Sequence, residues 1–323
     1  MNIQMDNILL GIDIGGTTVK IGMVNDDGEI IHKWEIPTTI GDQSHLLVHH
    51  IWKSILEQVD SLSLKTTQLC GMGIGAPGFI NNKTGIVHEA VNIGWKNYHL
   101  ADEFKEISGL PVFVENDANV AALGENWKGG GNHAKHLIAV TLGTGVGGGI
   151  ITDGAVLTGE SGTAGEIGHL TIDPDGYDCN CGRRGCLETI TSATGIVNQA
   201  MDVIATNPES KLAIFYKDQG GLTAKDVFSF AHTGDPLSQE IIDHTADVLG
   251  RALANTAIIT NPSIILIGGG VSKAGDQFIG LIDTYFKNYA LKRISENCEV
   301  KIAELGNDAG MIGAAYLVKQ NSD

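Results

Sequence analysis

Positive charge, proline and long apolar runs are all scarce in this 323-residue chain. Lysine and arginine number 21 against 38 aspartates and glutamates, a net charge of −17. No local basic patch interrupts that balance, so a phosphate backbone is repelled and nucleic acid is excluded as a partner. The 7 prolines are too few for a collagen-like or proline-rich chain. The longest uncharged stretch, from Ala252 up to Lys273, is broken by Asn255, Asn261, Pro262 and three glycines, so no membrane span is expected. Met1–Asp6 has neither a basic nor an apolar leader region, and a cytoplasmic chain is expected. Five cysteines are an odd count, which argues against a disulfide framework.

Glycine is what the chain has in excess: 43 residues, roughly twice the usual share of about 7%. Apolar residues at 42% and charged residues at 18% describe a globular protein with a core, and the length suggests two domains. Abundant glycine without proline implies tight turns and close backbone approaches, the means by which backbone N–H groups reach phosphates. About half of the glycines fall in five segments that read as ligand-facing: Gly11–Gly22, Gly71–Gly78, Gly143–Gly149, Gly159–Gly185 and Gly268–Gly270.

The chain repeats one plan. Ile8–Leu10 leads into Gly11–Thr18, an apolar alternation resumes at Val19–Val24, and Asn25–Gly28 turns into Glu29–Ile36. Leu137–Val140, the turn Thr141–Gly145 and the strand Gly149–Ile151 copy it at an offset of about 127 residues, which suggests a duplicated domain. Between the copies, Leu47, Val48, Ile51, Ile55, Val59 and Leu62 recur at helical spacing. Leu69–Ile74 and Pro111–Val114 read as strands, and Thr223 as a helix start. Asp235 caps a helix that begins at Pro236 and runs to about Thr256. Ser263–Ile267 is a strand and Ala309–Leu317 a closing helix. Strands alternate with helices, so the class is α/β with two halves and a cleft.

Five motifs carry chemistry. Asp13, Gly15, Gly16, Thr17, Thr18 and Lys20 form either an ordinary hairpin or a phosphate turn in which Asp13 holds Mg²⁺ through water. Gly143, Thr144 and Gly145 repeat it. Gly143–Gly148 also fits GxGxxG, but the residues that follow continue as strand rather than opening a helix, so a dinucleotide fold is rejected. No Walker A sequence occurs. Glu115-Asn116-Asp117-Ala118-Asn119 is either a helix cap or the seat of a carboxylate base at a strand's end. Gly268, Gly269 and Gly270, at the end of a buried strand, serve either a ligand or a packed helix. Finally, His169, Cys179, Cys181 and Cys186 match a closed Cys₃His Zn²⁺ site, structural in kind. Glu166 and Glu188 flank those ligands and are left free for sugar-type hydroxyls. Cys70 and Cys298 read as core residues.

Together these motifs resemble the ROK family (repressors, open reading frames and sugar kinases), nearest in pattern to its bacterial glucokinases. The resemblance implies duplicated actin/hexokinase-like, ribonuclease H-like ATPase domains with an interdomain cleft. The expected division is residues 1–116 with 309–323 as the small domain and 117–308 as the large one. It implies ATP-dependent phosphorylation of glucose at O6, with Mg²⁺ as cofactor and Asp117 as general base. Fructose, N-acetylglucosamine or N-acetylmannosamine are alternative substrates, and a non-catalytic sugar sensor is the rival reading. Gly75, Asn92, Asn116, Glu166, His169 and Glu188 would line the sugar site. Asp13 through Lys20 and Gly143–Gly145 would hold the phosphates, and Gly268–Gly270 the adenosine. The family's usual dimer implies a homodimer. Repressors of the family carry a DNA-binding region ahead of the first phosphate motif, which here begins at Leu9.

Overall fold

Strands β1 (Ile8–Ile14), β2 (Thr18–Val24) and β3 (Ile30–Pro37) form an antiparallel meander in the computed structural model, which describes residues 7–322. Met1–Asp6, read above for a leader, lies outside the described residues. The first turn after β2 is set by Asn25, whose side chain accepts the Asp27 and Glu29 N–H groups. Helix α1 (Leu47–Ser61) buries Leu47, Val48, Ile51, Ile55 and Val59. Each such burial contributes about 1.5–3 kcal/mol relative to exposure. Strand β4 (Leu69–Ala76) runs parallel to β1. A separate three-stranded flap follows: β5 (Phe79–Asn81), β6 (Ile86–Ala90) and β7 (Trp95–Tyr98). Helix α2 (Leu100–Ser108) then leads to β8 (Val112–Asn116), parallel to β4.

Helix α3 (Asp117–Lys128) carries the chain to a second sheet, begun by β9 (Leu137–Leu142), β10 (Val146–Thr152) and β11 (Ala155–Val156). Helices α4 (Glu188–Thr191), α5 (Ala193–Thr206), α6 (Lys211–Gln219), α7 (Ala224–His232) and α8 (Pro236–Thr260) follow. Strand β12 (Ile264–Gly268), α9 (Asp276–Tyr289), α10 (Lys292–Ser295) and β13 (Glu299–Ile302) complete that layer. The last helix, α11 (Ala309–Gln320), returns to the first sheet.

The strand orders are β3-β2-β1-β4-β8 and β11-β10-β9-β12-β13. Each is an antiparallel meander with two parallel strands added beside its first strand, so the two sheets share one plan, as the internal repeat predicts. Among the described residues, no helix is long and apolar enough to cross a membrane.

Several element boundaries follow from local chemistry. Asp235 accepts the Ser238 N–H at 3.0 Å and Pro236 stands at the first helical position, which fixes the start of α8. The helix runs four residues beyond the expected end at Thr256 and stops at Asn261 in the left-handed region. Thr256 and Thr260 bond their hydroxyls back to carbonyls one turn earlier, so the threonines are accommodated within the helix. Thr223 and Asp226 cap α7 reciprocally.

The glycine excess has a second use beside ligand approach. A Cβ at Gly11 would stand 2.0 Å from the Met311 carbonyl, and one at Gly73 1.7 Å from that of Ala314. These residues let α11 lie directly on β1 and β4. Helices α3 and α11 touch in the same way, since a Cβ at Gly124 would be 2.1 Å from the Ala309 carbonyl and one at Gly313 1.7 Å from that of Val120. The reading of Gly11, Gly22 and Gly71–Gly73 as ligand-facing is therefore corrected: they face α11 or its flanks. Below the crossing, buried Glu125 accepts the N–H groups of Gly130, Glu304 and Leu305 at 3.2, 3.0 and 2.7 Å. Its carboxylate thus ties together both passages of chain between the sheets.

Candidate functional site

The two hairpin turns are held in matching ways. In the first, Gly15 N–H bonds the Thr18 carbonyl at 3.0 Å, and Thr38 braces the turn from β3 through Gly15 and Thr17. In the second, Gly143 N–H bonds the Gly145 carbonyl at 3.0 Å. Ala193 and Thr194, at the start of α5, brace it through the carbonyls of Gly143 and Thr144. Thr17 and Thr144 are exposed. A Cβ at Gly143 or Gly270 would meet nothing within 4 Å, and one at Gly16 only the Asn92 Cβ at 3.9 Å. These glycines leave room for an incoming group.

Asp13 lies at the end of β1, opposite Lys20 across the strand pair and 3.8 Å from its ammonium group. Burial raises the Asp13 pKa and Lys20 pulls it back. The first turn of α11 presses on the same carboxylate, since a Cβ at Gly310 would be 2.7 Å from it.

Asn116 ends β8 and caps α3: its Oδ1 accepts the N–H groups of Ala118 at 2.9 Å and Asn119 at 3.3 Å. Its Nδ2 donates to the Gly78 carbonyl at 3.2 Å. What remains for a ligand is a single N–H, so Asn116 can act there only as a donor. Asp117, the next residue, has its carboxyl pushed up to about 6, first by burial and then by the charges of Asp13 and Glu166. The cap and base readings of this motif are therefore both served, by adjacent residues. Glu166 is itself raised by burial, lowered by His169 and raised by Glu188.

The cysteine loop closes on itself. His169, Cys179, Cys181 and Cys186 bring their ligand atoms within 4.8 Å of one another. Tetrahedral Zn²⁺ with Zn–S of about 2.3 Å and Zn–N of about 2.0 Å requires ligand–ligand edges of about 3.5–3.8 Å. The Cys181–Cys186 sulfurs are 3.6 Å apart and Cys179 Sγ is 3.7 Å from His169 Nδ1. All five cysteines are free thiols, and the cluster fits a structural zinc. Gly185 makes the loop possible: its φ is +64° and a Cβ there would lie 1.4 Å from the Asp173 carbonyl. Arg183 donates to the His169 carbonyl at 2.8 Å and pins the loop to its histidine. Cys298 is in the core as expected, whereas Cys70 is only half-buried.

Glu188 is less free than its sequence position suggests. Its Oε1 is 3.0 Å from Cys179 Sγ and 3.7 Å from His169 Nδ1, and its Oε2 accepts the Val146 N–H at 3.3 Å. It thereby joins the cysteine loop to the second hairpin.

A cavity of about 1350 Å³ opens beside that hairpin, lined by Gly143, Thr144 and Gly270 with Lys225, Phe228 and Gln277 among its walls. Sequence reasoning missed the α7 and α9 walls: it read a helix start at Thr223 and no element over 276–289, and nothing in either segment marks Lys225, Phe228 or Gln277 as ligand-facing. The three glycines at the end of β12 divide their work. Gly270 faces the cavity, while Gly269, at φ +86°, packs against Leu142; Gly268 is buried at the strand end. Gly75 is also buried, and its bare face meets Val120 and Asp117 of α3. Asn92 is exposed on the flap, near Gly16.

Residues 9–321 match the model of the ROK family. The glucokinase of Halalkalibacterium halodurans is 49% identical over 98% of this chain and 97% of its own. The glucokinase of Thermotoga maritima is 39% identical over 97% of each. A ROK family glucokinase from Streptomyces griseus, solved in complex with glucose and AMPPNP, superposes with a TM-score of 0.79 at 33% identity, over 97% of this chain and 100% of its own.

Proposed function

The chain belongs to the ROK family, and on that premise we propose that it transfers the γ-phosphoryl group of ATP to O6 of glucose. The observation that carries this reading is the seat of Asp117 against Gly75, the β4 residue paired with Asp13, next to two braced glycine–threonine turns. An acidic, uncharged-sugar site and a phosphate site made of backbone amides suit a chain of net charge −17.

Asp117 takes the O6 proton as the hydroxyl attacks. A carboxyl at about 6 is ionised at neutral pH yet basic enough to accept it. Phosphoryl transfer asks the protein chiefly to position and to neutralise. Mg²⁺, when bound, neutralises charge on the transferring phosphate, and Asp13 would hold it. Gly15 and Gly143 spend their N–H groups closing the turns, so those of Gly16, Thr17, Thr144 and Gly145 would serve the phosphates, with Lys20 beside them. The nucleoside fits the cavity bounded by Gly143, Gly270 and Phe228. Asn116 donates to a sugar hydroxyl, and Glu166 and Glu188 accept from others. His169 turns Nδ1 to the zinc ligands and leaves Nε2 for the sugar, so the metal would fix its tautomer.

We assign residues 1–116 with 309–323 to one domain and 117–308 to the other, closing on the sugar. The family pattern supports a homodimer, and free thiols in a zinc loop support a cytoplasmic setting.

The test is ADP release with glucose and ATP, repeated with other hexoses. Asp117→Asn is expected to lose at least about 10³-fold in turnover while keeping glucose affinity. Glucose binding without ADP release by the wild type would assign a sensor instead.

A further inference from the structure

Glu115, the residue before Asn116, is 4% exposed. Its carboxylate meets three donors and, among the described residues, no cation. Oε1 accepts the Asn116 N–H at 2.8 Å and Asn119 Nδ2 at 3.0 Å, and Oε2 accepts Asn82 Nδ2 at 3.1 Å. A buried carboxylate is costly unless hydrogen-bonded, and a neutral residue of similar size is usually the cheaper occupant. Capping does not account for it, because Asn116 Oδ1 already serves the N–H groups of Ala118 and Asn119.

Asn119 makes the arrangement more specific. It is 2% exposed, and its Oδ1 has no hydrogen-bond partner. Flipping the amide would turn that oxygen onto the Glu115 carboxylate, so the orphan is a fixed consequence of serving Glu115. Unpaired buried groups in a folded protein call for a reason.

The third donor supplies one. Asn82 lies on the turn between β5 and β6, in the three-stranded flap. The flap carries exposed Phe79 and Val91 and reaches the first hairpin at Asn92. A second tie joins the same two parts, from Asn116 Nδ2 to the Gly78 carbonyl. An amide in its place would set an NH₂ group against one of these donors, so it takes a side chain with two accepting oxygens to hold Asn82, Asn119 and the Asn116 N–H together.

We propose that Glu115 is a positioning residue for Asp117, its carboxylate coupling the flap to the first turn of α3 so that a flap seated on sugar orients the base. This deepens the reading above and rests on Asp117 as base.

Steady-state kinetics of the full chain, with glucose and ATP varied separately, test it on Glu115→Gln, Asn82→Ala, the double variant and Asp117→Asn. Glutamine keeps the shape but replaces one acceptor with a donor. Glu115→Gln is expected to lower kcat at least about tenfold with the ATP KM within about twofold. Asn82→Ala, which cuts only the flap end, is expected to raise the glucose KM at least about threefold and to add nothing further in the double variant. A Glu115→Gln enzyme with more than about half the wild-type kcat overturns the proposal, as do single effects that multiply independently. If Glu115→Gln fails to fold, Asn82→Ala alone decides, and an unchanged glucose KM overturns the coupling. An active Asp117→Asn would overturn the base assignment itself; an inactive one beside a normal Glu115→Gln overturns only the positioning role.

Discussion

Asp117, the proposed base, sets a demand of catalysis against the fold. Its pKa, pushed up to about 6 by burial and by Asp13 and Glu166, exceeds the ordinary 3.8. A raised acid contributes its stability fully below the unfolded value and loses it as pH rises through the folded one. Without Mg²⁺ or nucleotide, Asp117→Asn is expected to melt above the wild type at pH 8, the gap closing as pH falls from 6 to below 4. Thermal melts across that range check this, and equal melting at pH 8 would contradict it. Turnover moves the other way, since kcat/KM of the wild type should fall below about pH 6 as the base protonates. Asn116 separates two duties that usually confound a variant. Serine caps a helix about as well as asparagine, but it removes the amide donor. Asn116→Ser is therefore expected to raise the glucose KM about tenfold or more while melting within a few degrees of the wild type.

At the scale of elements, the cysteine loop and the Glu125 tie do different kinds of holding. The loop has little secondary structure of its own, apart from isolated bridges such as Thr171–Cys186 and Asp178–Arg184, so the metal supplies much of its order. Purified protein is expected to hold close to one equivalent of Zn²⁺ per chain. Less than about half an equivalent would contradict the site. Stripping the metal is expected to weaken glucose binding along with the loop, because the proposed sugar site shares His169 with the cluster. Glu125 gathers three backbone N–H groups from two separate passages of chain. Glu125→Ala would leave them buried and unpaired, at about 1–3 kcal/mol each. A loss of at least about 3 kcal/mol in urea unfolding is the expected result.

For the whole molecule, the duplicated plan was legible because each copy keeps its own short-range signals: an apolar run, a glycine–threonine turn, a second run. The zinc ligands were legible because they are close in sequence and chemically unusual. The flap was not, since β5 to β7 are short strands with no clean alternation, paired only with one another. The walls of the large cavity escaped for a related reason: α7 and α9 meet the second hairpin only after folding, across scores of residues. Glu125 gave no signal at all, because its partners are backbone amides, which every residue possesses.

The seat of α11 on Gly11 and Gly73 also bears on assembly during synthesis. β1 and β4 leave the ribosome early, but the helix that covers them follows only after residues 137–302. The second sheet is one continuous stretch and can close as soon as it is made. The first sheet must wait with its glycine-lined face uncovered until α11 arrives. Domains generally fold in the order in which they are made; here the sheet begun first is the one finished last.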